Sequence, residues 1–329
     1  MSLTTTRRHL LSLGAALGLG CATIGTAFAD TSSYPSKPIK ITVPWAPGGA
    51  TDVITRLLGQ HIATELGQPV VVDNKPGAGG NIGTGAFVRE RPDGYSLLMA
   101  TSSTNAINPN LYKTLPFKPV KDFAPVAQVA TVPNILVVPK DSPFKSVADI
   151  VQAAKNKPGT LSYGSAGNGS SQHLAGSMFI KATGVEVTHI PYRGSGPAAA
   201  DLIAGHLDFM LDTGSMPHIK SGSLKALAVA AAQRLPGLPD VPTFEELGYK
   251  DFEAAAWYGI AAPAGTPAEI VEKLNTAINN ALKDDNIKGR LQDFGAVVAG
   301  GSVQSFEDFF VSEIDRFAIL VKESGATVE

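Results

Sequence analysis

The sequence predicts a two-lobed α/β protein, with a mainly parallel sheet flanked by helices in each lobe. Strand-like and helix-like segments alternate almost throughout the 329 residues, as in parallel sheets joined by crossover helices. Glycine-rich loops follow three of the predicted strands and lead into predicted helices. The segment 234–249 is rich in proline and polar residues, which is typical of a chain that crosses between lobes. Two such crossings form a hinge.

Lobe 1 begins with an alternating apolar strand at 39–43. This strand ends at the loop Pro47-Gly48-Gly49-Ala50-Thr51-Asp52, and an amphipathic helix follows, because apolar residues recur on one face as far as Leu66. The next predicted elements are a strand at 69–73, a helix at 81–89 and a strand at 96–101. We expect residues 30–130 to form the first part of lobe 1.

A second series of alternating segments predicts lobe 2 over residues 131–249. Its predicted strands are 135–138, 161–163, 185–190, 207–211 and 224–231, and its predicted helices are 147–155, one from Ser171 and one near 198–204. Residues 250–329 then return to lobe 1. They include a predicted strand at 257–262 and two long amphipathic helices, at 267–282 and 306–322, which need an apolar surface to pack against.

Residues 1–29 have the features of an export signal that is removed from the mature protein. Arg7 and Arg8 precede an apolar stretch, and Ala27-Phe28-Ala29 is a small-x-small cleavage site before Asp30. The stretch is short for a membrane span, which needs about 20 residues. The two arginines fit either an ordinary secretory signal or a twin-arginine signal. We therefore expect a periplasmic protein.

The composition of the mature chain excludes several classes of function. The single cysteine, Cys21, lies within the predicted signal, so the mature chain has neither disulfides nor thiolate metal sites. Gly18 stands where a lipoprotein signal has an aliphatic residue, so we expect no lipid anchor. Losing Arg7 and Arg8 changes the formal charge from −2 to −4, and no basic stripe remains to bind nucleic acid or an anionic membrane. We expect a soluble monomer without cofactor or metal.

Three glycine-rich loops are candidate anion sites. They are Pro47-Gly48-Gly49-Ala50-Thr51-Asp52, Asn74-Lys75-Pro76-Gly77-Ala78-Gly79-Gly80-Asn81 and Gly164-Ser165-Ala166-Gly167-Asn168-Gly169-Ser170-Ser171-Gln172-His173. Glycine leaves backbone N–H groups open to a ligand, and the N-terminus of the following helix favours negative charge. At the carboxyl ends of parallel strands, all three loops would face one cleft. The alternative is that each loop is a tight turn with an ordinary helix cap.

No nucleotide-binding or catalytic motif is present. Ile82 stands where a G-x-G-x-x-G fingerprint starting at Gly77 needs its third glycine, and no G-x-x-x-x-G-K-[ST] occurs. The chain also lacks the G-x-S-x-G and H-E-x-x-H motifs of hydrolases and zinc proteases. We therefore predict no catalytic residue, and a secreted hydrolase is the less favoured alternative.

Single polar side chains near these loops have two interpretations each. Arg193, in a loop after a strand, either binds a carboxylate through two parallel hydrogen bonds or is a surface cation. His173, in a first helical turn, either donates to a carboxylate or packs and caps. Asp52 either has a role in binding, by orienting a bridging water or pairing with a ligand amine, or is simply favourable in a first helical turn. Ser102 and Ser103 end a strand and offer hydroxyl groups to the same cleft.

Two further residues complete the predicted site. Trp45 follows the first strand and either lines the pocket or packs in the core. Asn81 ends the second glycine loop and begins a predicted helix, and it is a candidate ligand-binding residue.

With these loops, the chain resembles the Bug-type solute receptors of tripartite tricarboxylate transporters over essentially all of its mature sequence. The resemblance rests on a set of motifs in one order: Val43-Pro44-Trp45-Ala46-Pro47-Gly48-Gly49-Ala50-Thr51-Asp52, Val72-Asp73-Asn74-Lys75-Pro76-Gly77-Ala78-Gly79-Gly80-Asn81-Ile82-Gly83, Gly164-Ser165-Ala166-Gly167, Ser171-Gln172-His173-Leu174-Ala175, Pro191-Tyr192-Arg193-Gly194 and Trp257-Tyr258-Gly259-Ile260-Ala261-Ala262-Pro263. It implies the Venus flytrap fold of periplasmic binding proteins, whose lobes close over a carboxylated metabolite.

The resemblance also implies a distribution of site residues between the lobes. One carboxylate end of the ligand would meet Gly48, Gly49, Thr51 and Asp52, and the other would face Ser165, Asn168, Ser171 and His173. Members of the family bind dicarboxylates, citrate-like acids, amino acids or aromatic acids, so the motifs do not identify the ligand. Arg193 stands where other members have lysine.

The function that we expect is a non-enzymatic receptor that delivers a small carboxylate to the permease subunits of a membrane transporter. A ligand-sensing subunit that hands its bound state to a signalling protein is an alternative that the sequence does not separate from transport.

Overall fold

The computed structural model describes residues 33–328, so the predicted export signal and its cleavage site lie outside the described residues. Within this range the chain forms two sheets, each flanked by helices. This arrangement confirms the two-lobed α/β prediction.

The first sheet, in lobe 1, is built from both parts of the chain that the sequence assigns to that lobe. Its strands are β1 (Ile39–Val43), β2 (Val70–Asn74), β3 (Ser96–Thr101), β4 (Phe123–Pro133), β10 (Ala255–Pro263) and β11 (Val297–Val298). They lie in the order β11-β4-β10-β3-β1-β2. The helices of this lobe are α1 (Ala50–Leu66), α2 (Asn81–Phe87), α3 (Asn108–Leu111), α8 (Ala268–Lys283), α9 (Asp285–Asp293) and α10 (Val303–Ser324).

The second sheet, in lobe 2, comes from one continuous part of the chain. Its strands are β5 (Ile135–Pro139), β6 (Ser162–Ser165), β7 (Thr188–Pro191), β8 (Phe209–Asp212) and β9 (Leu224–Val229), in the order β7-β6-β8-β5-β9. Its helices are α4 (Val147–Asn156), α5 (Ser171–Thr183), α6 (Ser195–Ile203) and α7 (Met216–Lys220).

The prediction that both sheets are mainly parallel is wrong in detail, because both are mixed. In the first sheet β1 runs parallel to β2 and β3, but β10 is antiparallel to β3 and β4, and β11 is antiparallel to β4. In the second sheet β5 is antiparallel to β8 and β9. The reason is the crossing between lobes. The chain leaves lobe 1 through β4 and returns through β10 beside it, so the two strands must run in opposite directions.

Asn134 and Ala254 mark the two crossings between the lobes. Asn134 joins β4 to β5 with no loop between them, and its backbone N–H and side-chain Nδ2 both donate to the Ala254 carbonyl, at 2.8 and 2.9 Å. The Ala230 N–H donates to the Asn134 carbonyl, and the Ala254 N–H donates to the Ala230 carbonyl. These bonds tie the outgoing and returning chains together, a few residues from the predicted boundaries at 131 and 249.

The helix α10 anchors the C-terminal part of the chain to lobe 1 through an aromatic cluster. Trp257 of β10 is buried, with ring centroids of Phe306, Phe309 and Phe310 at 6.1, 5.9 and 5.6 Å. Edge-to-face and tilted pairs at such distances add to the apolar burial. The amphipathic pattern that predicts this helix from sequence thus reflects its packing on the first sheet.

Truncation of this cluster tests its contribution to stability. Phe306 is fully buried against Trp257 and Phe310, so Phe306→Ala should lower the free energy of unfolding by about 3–5 kcal/mol. Val311→Ala on the exposed face of the same helix should change it by less than about 0.5 kcal/mol. Urea unfolding followed by circular dichroism measures both. Equal effects of the two substitutions would contradict the packing described here.

Candidate functional site

A small cavity lies between the two lobes, where strand ends of the first sheet face strand ends of the second. Its volume is about 20 Å³, which is roughly the room that one water needs. Both lobes line it, and the lining residues are Trp45, Gly49, Ala50, Thr51, Thr101, Ser103, Ala166, Ser171, Gln172, Ser195, Thr213, Ala256 and Tyr258. Only neutral residues are in this set.

The wall from lobe 1 is the N-terminus of α1. Gly49 is the N-cap residue, in an extended conformation with φ −85° and ψ 174°, and no side chain caps this helix end. The first N–H groups of an α-helix have no partner within the helix, and the helix dipole makes this end favourable for negative charge. Gly49, Ala50 and Thr51 line the cavity, so α1 offers backbone donors to its contents.

Asp52 turns away from the cavity and stabilises the same loop. Its Oδ2 accepts from the Gly48 N–H and from Arg56 Nε, both at 3.1 Å, and its Oδ1 accepts from Asn74 Nδ2 at 3.0 Å and lies 2.9 Å from Arg56 Nη2. Burial raises the pKa of Asp52, but the hydrogen bonds from Arg56, Gly48 and Asn74 and the Arg56 charge outweigh it, so the pKa lies below its ordinary value. The geometry is that of a structural carboxylate.

The wall from lobe 2 includes the N-terminus of α5. Ser170 caps this helix, because its Oγ accepts from the His173 N–H at 3.1 Å. The N–H of Ser171 points across the cleft and donates to Ser103 Oγ of lobe 1 at 3.1 Å. The residues that line the cavity here are Ser171 and Gln172.

The helix α6 supplies a second helix end from lobe 2, directly opposite α1. Gly194 is its N-cap, and no side chain caps it. A Cβ added at Gly49 would lie 3.1 Å from Ser195 Cβ, and one added at Gly196 would overlap the Pro47 carbonyl oxygen. The Ala46 N–H donates to the Arg193 carbonyl at 3.2 Å. Two uncapped helix ends therefore meet backbone to backbone, and glycine is what permits this approach.

Two hydrogen bonds from tyrosines also join the lobes. Tyr112 Oη donates to the Asn168 carbonyl at 2.9 Å, and Tyr258 Oη donates to Thr213 Oγ1 at 3.1 Å. Burial raises the pKa of both phenols, so both stay protonated and remain donors at neutral pH.

His173 lies behind the cavity wall in a neutral pair with His189. Its Nδ1 accepts from the Gly169 N–H at 3.2 Å, and the two imidazole rings stack with centroids 4.5 Å apart. Burial lowers the pKa of His173 to about 4, and burial together with the charge of His173 lowers the pKa of His189 to about 4. Ser165 Oγ lies 2.6 Å from His189 Nε2. This group is therefore uncharged at neutral pH and is not part of the cavity lining.

The predicted site residues fall into two groups. Those that line the cavity are Trp45, Gly49, Thr51, Ser103 and Ser171. Those that lie outside the lining are Gly48, Asp52, Asn81, Ser102, Ser165, Asn168, His173 and Arg193.

The residues outside the lining have other partners or positions. Asn81 Oδ1 accepts from Asn108 Nδ2 at 2.8 Å, Ser102 is fully buried, and Asn168 contributes its carbonyl to Tyr112. Arg193 has an exposed side chain, and only its carbonyl reaches lobe 1.

Polar residues that line the cavity but were not predicted from the sequence are Thr101, Gln172, Ser195, Thr213 and Tyr258, and Asp212 lies directly behind them. Gln172 and Tyr258 fall within motifs that the resemblance already contained, and Asp212 directly follows the predicted strand 207–211 and is the last residue of the observed strand β8. The position of Asp212 at the end of a strand is the sequence feature that could have indicated its place beside the site. Among residues 33–328 no group of three metal-ligating side chains is close enough to hold a metal ion.

The chain is similar to known proteins over most of its length. The model of the tripartite tricarboxylate transporter family receptor matches residues 54–326. Protein BugT of Bordetella pertussis (strain Tohama I) is 38% identical over 327 residues, 98% of this chain and 100% of that protein. An R. palustris protein solved with adipate is 37% identical with a TM-score of 0.86, covering 90% of this chain and 100% of that one. MatC of Rhodopseudomonas palustris, solved with bound malate, is 33% identical with a TM-score of 0.83, covering 88% and 100%.

Asp52→Asn tests the structural role of this carboxylate. Loss of the charge should lower the free energy of unfolding by about 1–3 kcal/mol at pH 7. A carboxyl group whose pKa is lowered by folding stabilises the protein above its unfolded pKa of about 3.9, and this contribution disappears as the pH falls through the folded pKa. The difference between variant and wild type should therefore shrink below about pH 4.

Denaturant unfolding at a series of pH values measures this difference. Asp73→Asn is the control, because Asp73 pairs with Lys75 at the surface, and an exposed pair contributes only about 0–1 kcal/mol. A loss from Asp52→Asn that is the same at pH 3 and pH 7 would contradict the ion pair as its source.

Proposed function

The chain belongs to the tripartite tricarboxylate transporter receptor family, and from this membership we propose that it captures a small carboxylate between its lobes and delivers it to the permease subunits of such a transporter. The ligand is a dicarboxylate, a tricarboxylate, an aromatic acid or an amino acid. The site is the cavity between the N-termini of α1 and α6.

One observation carries this proposal: two helix ends without side-chain caps approach the same cavity from opposite lobes. Their free N–H groups and the N-terminal ends of the dipoles favour an anion. The hydroxyl groups of Thr51, Ser103 and Thr213 add polar contacts. The solved relatives with adipate and malate support a carboxylate as the anion.

Neutral donors are sufficient for binding of the strength that a receptor needs. A hydrogen bond to a charged group contributes about 1.5–3 kcal/mol, and a helix N-terminus adds roughly 0.3–1 kcal/mol. Four or five such contacts, less the cost of association, leave about −8 kcal/mol, which corresponds to a micromolar dissociation constant. No cation in the cavity wall is required.

Closure of the lobes is part of the proposed mechanism. The cavity of about 20 Å³ has room for about one water and not for an organic acid, so the lobes must lie further apart than in this structure both to admit the ligand and to hold it. Only closure brings α1 and α6 to the same molecule, so the ligand stabilises the closed lobes through contacts that the open form lacks. The hinge at Asn134 and Ala254 is where the two crossing chains allow this motion.

We propose that the mature protein acts in the periplasm as a soluble monomer and catalyses no reaction. None of the helices among residues 33–328 is long and apolar enough to cross a membrane. Ser171 and Ser195 in the cavity donate to an amide oxygen and to a carboxylate, and within residues 33–328 neither hydroxyl donates to a histidine that could activate it as a nucleophile.

Direct binding tests the function. Isothermal titration of the mature protein with adipate, malate, citrate, glutamate and benzoate should give a micromolar dissociation constant for at least one acid. Glucose and putrescine, which carry no carboxylate, should give none. Small-angle scattering with the binding acid should show compaction. Failure of every acid to bind would contradict the proposal.

Gly49→Leu should abolish close approach of the lobes and weaken binding at least tenfold, about 1.4 kcal/mol. The backbone at Gly49 has φ −85°, which suits leucine, so folding should be retained. The added side chain would meet Ser195 across the cleft. Gly289→Leu on α9 is the matched control, since a side chain there meets nothing within 4 Å. Titration with the binding acid measures both, and equal affinities would remove the first loop from the site.

Tyr112→Phe removes a hydrogen bond that exists only when the lobes are closed. Loss of its bond to the Asn168 carbonyl should destabilise the closed form by about 0.5–1.5 kcal/mol, which weakens ligand binding roughly two- to tenfold. Tyr249→Phe, in the core of lobe 2 against Phe244, should leave the affinity unchanged. A Tyr112→Phe protein that binds as tightly as the control would show that this bond does not contribute to closure.

A further inference from the structure

Asp212 is a fully buried carboxylate behind the cavity wall, and none of its contacts among residues 33–328 is with a cation. Its Oδ1 accepts from Ser195 Oγ at 2.5 Å and from Gln172 Nε2 at 3.2 Å. Its Oδ2 accepts from Ser215 Oγ at 2.6 Å and from the Gly214 N–H at 3.0 Å. A buried charge is costly unless it is paired or fully hydrogen-bonded. The capture of an anionic ligand does not by itself explain why a buried carboxylate lies behind the cavity wall.

The Asp212 carboxylate determines where the hydroxyl and amide hydrogens of several cavity-lining residues point. Ser195 has one hydroxyl hydrogen, and it is directed at Asp212, so Ser195 Oγ has only acceptor capacity left. The Gln172 amide donates to Asp212 and to Thr213 Oγ1, the latter at 3.3 Å, so its oxygen is free to accept from Ser171 Oγ at 3.2 Å. The Ser171 hydroxyl hydrogen is therefore committed as well, and Ser171 Oγ is also left as an acceptor.

Tyr258 and Thr213 extend the same pattern across the lobes. Tyr258 donates its hydroxyl hydrogen to Thr213 Oγ1, so the phenol oxygen keeps only acceptor capacity. Thr213 Oγ1 already accepts from Tyr258 and Gln172, so its own hydrogen is available. Of the hydroxyl groups around Asp212 that line the cavity, three are acceptors and one is a donor. This wall contrasts with the N-terminus of α1, where backbone N–H donors face the cavity.

We propose that Asp212 is a positioning residue that determines ligand specificity: by fixing these hydrogens it makes one side of the cavity accept hydrogen bonds, and so selects a carboxylate that also carries an O–H or N–H donor over the matching unsubstituted acid. This inference rests on the proposed function. The carboxylate of the ligand lies at α1, and its hydroxyl or ammonium group donates to Ser195 and Ser171.

The physical basis of this selectivity is that the hydrogen-bond acceptors in the cavity lose their water when the lobes close, which costs free energy unless the ligand supplies a donor. When an unsubstituted acid is bound in the closed cavity, Ser195 Oγ and Ser171 Oγ accept no hydrogen bond. Leaving a buried acceptor unpaired costs more free energy than a hydrogen bond contributes when it is made. A site built to hydrogen-bond a ligand group rejects the analogue that lacks the group for this reason. The Asp212 charge adds attraction for an ammonium group.

The test compares three four-carbon diacids that differ only at one carbon: succinate, L-malate and L-aspartate. Isothermal titration of the mature protein should give an affinity for malate or aspartate at least tenfold higher than that for succinate. Equal affinities, or tighter succinate, would overturn the inference and leave the proposed function in place. No binding by all three would also count against the inference, and the proposed function falls with it only if the broader panel of acids fails too.

Asp212→Asn examines the origin of the selectivity. The amide keeps the shape of the carboxylate but can donate to Ser195 Oγ, which releases the hydroxyl hydrogen toward the cavity. The ratio of malate to succinate affinity should fall to within about threefold of one, an effect that general loss of stability does not produce. Asp201→Asn removes the same charge from an exposed position on α6, where Asp201 contacts Tyr192 and His206, and should keep the wild-type ratio.

Ser195→Ala is the second variant, and it keeps the inference testable if Asp212→Asn does not fold by circular dichroism. It removes the acceptor itself and should abolish the preference for the substituted acids in the same way. A folded Asp212→Asn or Ser195→Ala protein that retains the wild-type ratio would overturn the role assigned to Asp212.

Discussion

The close backbone approach of the two lobes is the constraint on which the site depends. The field of a helix N-terminus falls off within the first turn, so α1 and α6 act on one molecule only if their ends nearly touch. Side chains at Gly49 or Gly196 would prevent this. The same approach leaves no room between the loops for a long cationic side chain. A cavity lined by neutral residues is therefore the consequence of bringing two helix ends together.

Much of the fold could be predicted from local patterns, and the errors have two causes. Buried strands such as β3 and amphipathic helices such as α10 have their own periodicity, so their positions agree with the predictions. β4 was missed, because Pro125 and Pro133 interrupt an otherwise apolar run, and Pro125 lies beside a register shift against β10. Strand direction was also wrong in part, because a strand buried on both faces has the same composition whichever way its neighbour runs.

The sequence predicted which loops form the site, but not which of their side chains line the cavity. In the segment from Ser171 to His173, three successive residues point in different directions around α5. Ser171 and Gln172 line the cavity, and His173 packs on His189. The rotation of a helix about its axis is set by packing against the sheet, which local sequence does not state. Asp52 was different: Arg56 follows at the i, i+4 spacing that favours an ion pair, so its structural role was visible in the sequence.

The charges around the cavity favour one orientation of the proposed ligand. At α1 the Asp52 charge is balanced by Arg56, so the helix end keeps its attraction for an anion. In lobe 2 the first-turn side chains of Gln172 and Ser195 bind the Asp212 carboxylate, so the N–H groups of α5 and α6 still favour a ligand anion, but less strongly than those of α1. A ligand carboxylate is thus drawn to lobe 1. In the proposed mechanism no ion pair with the protein holds this carboxylate, so opening of the lobes is enough to release it to the proposed permease partner.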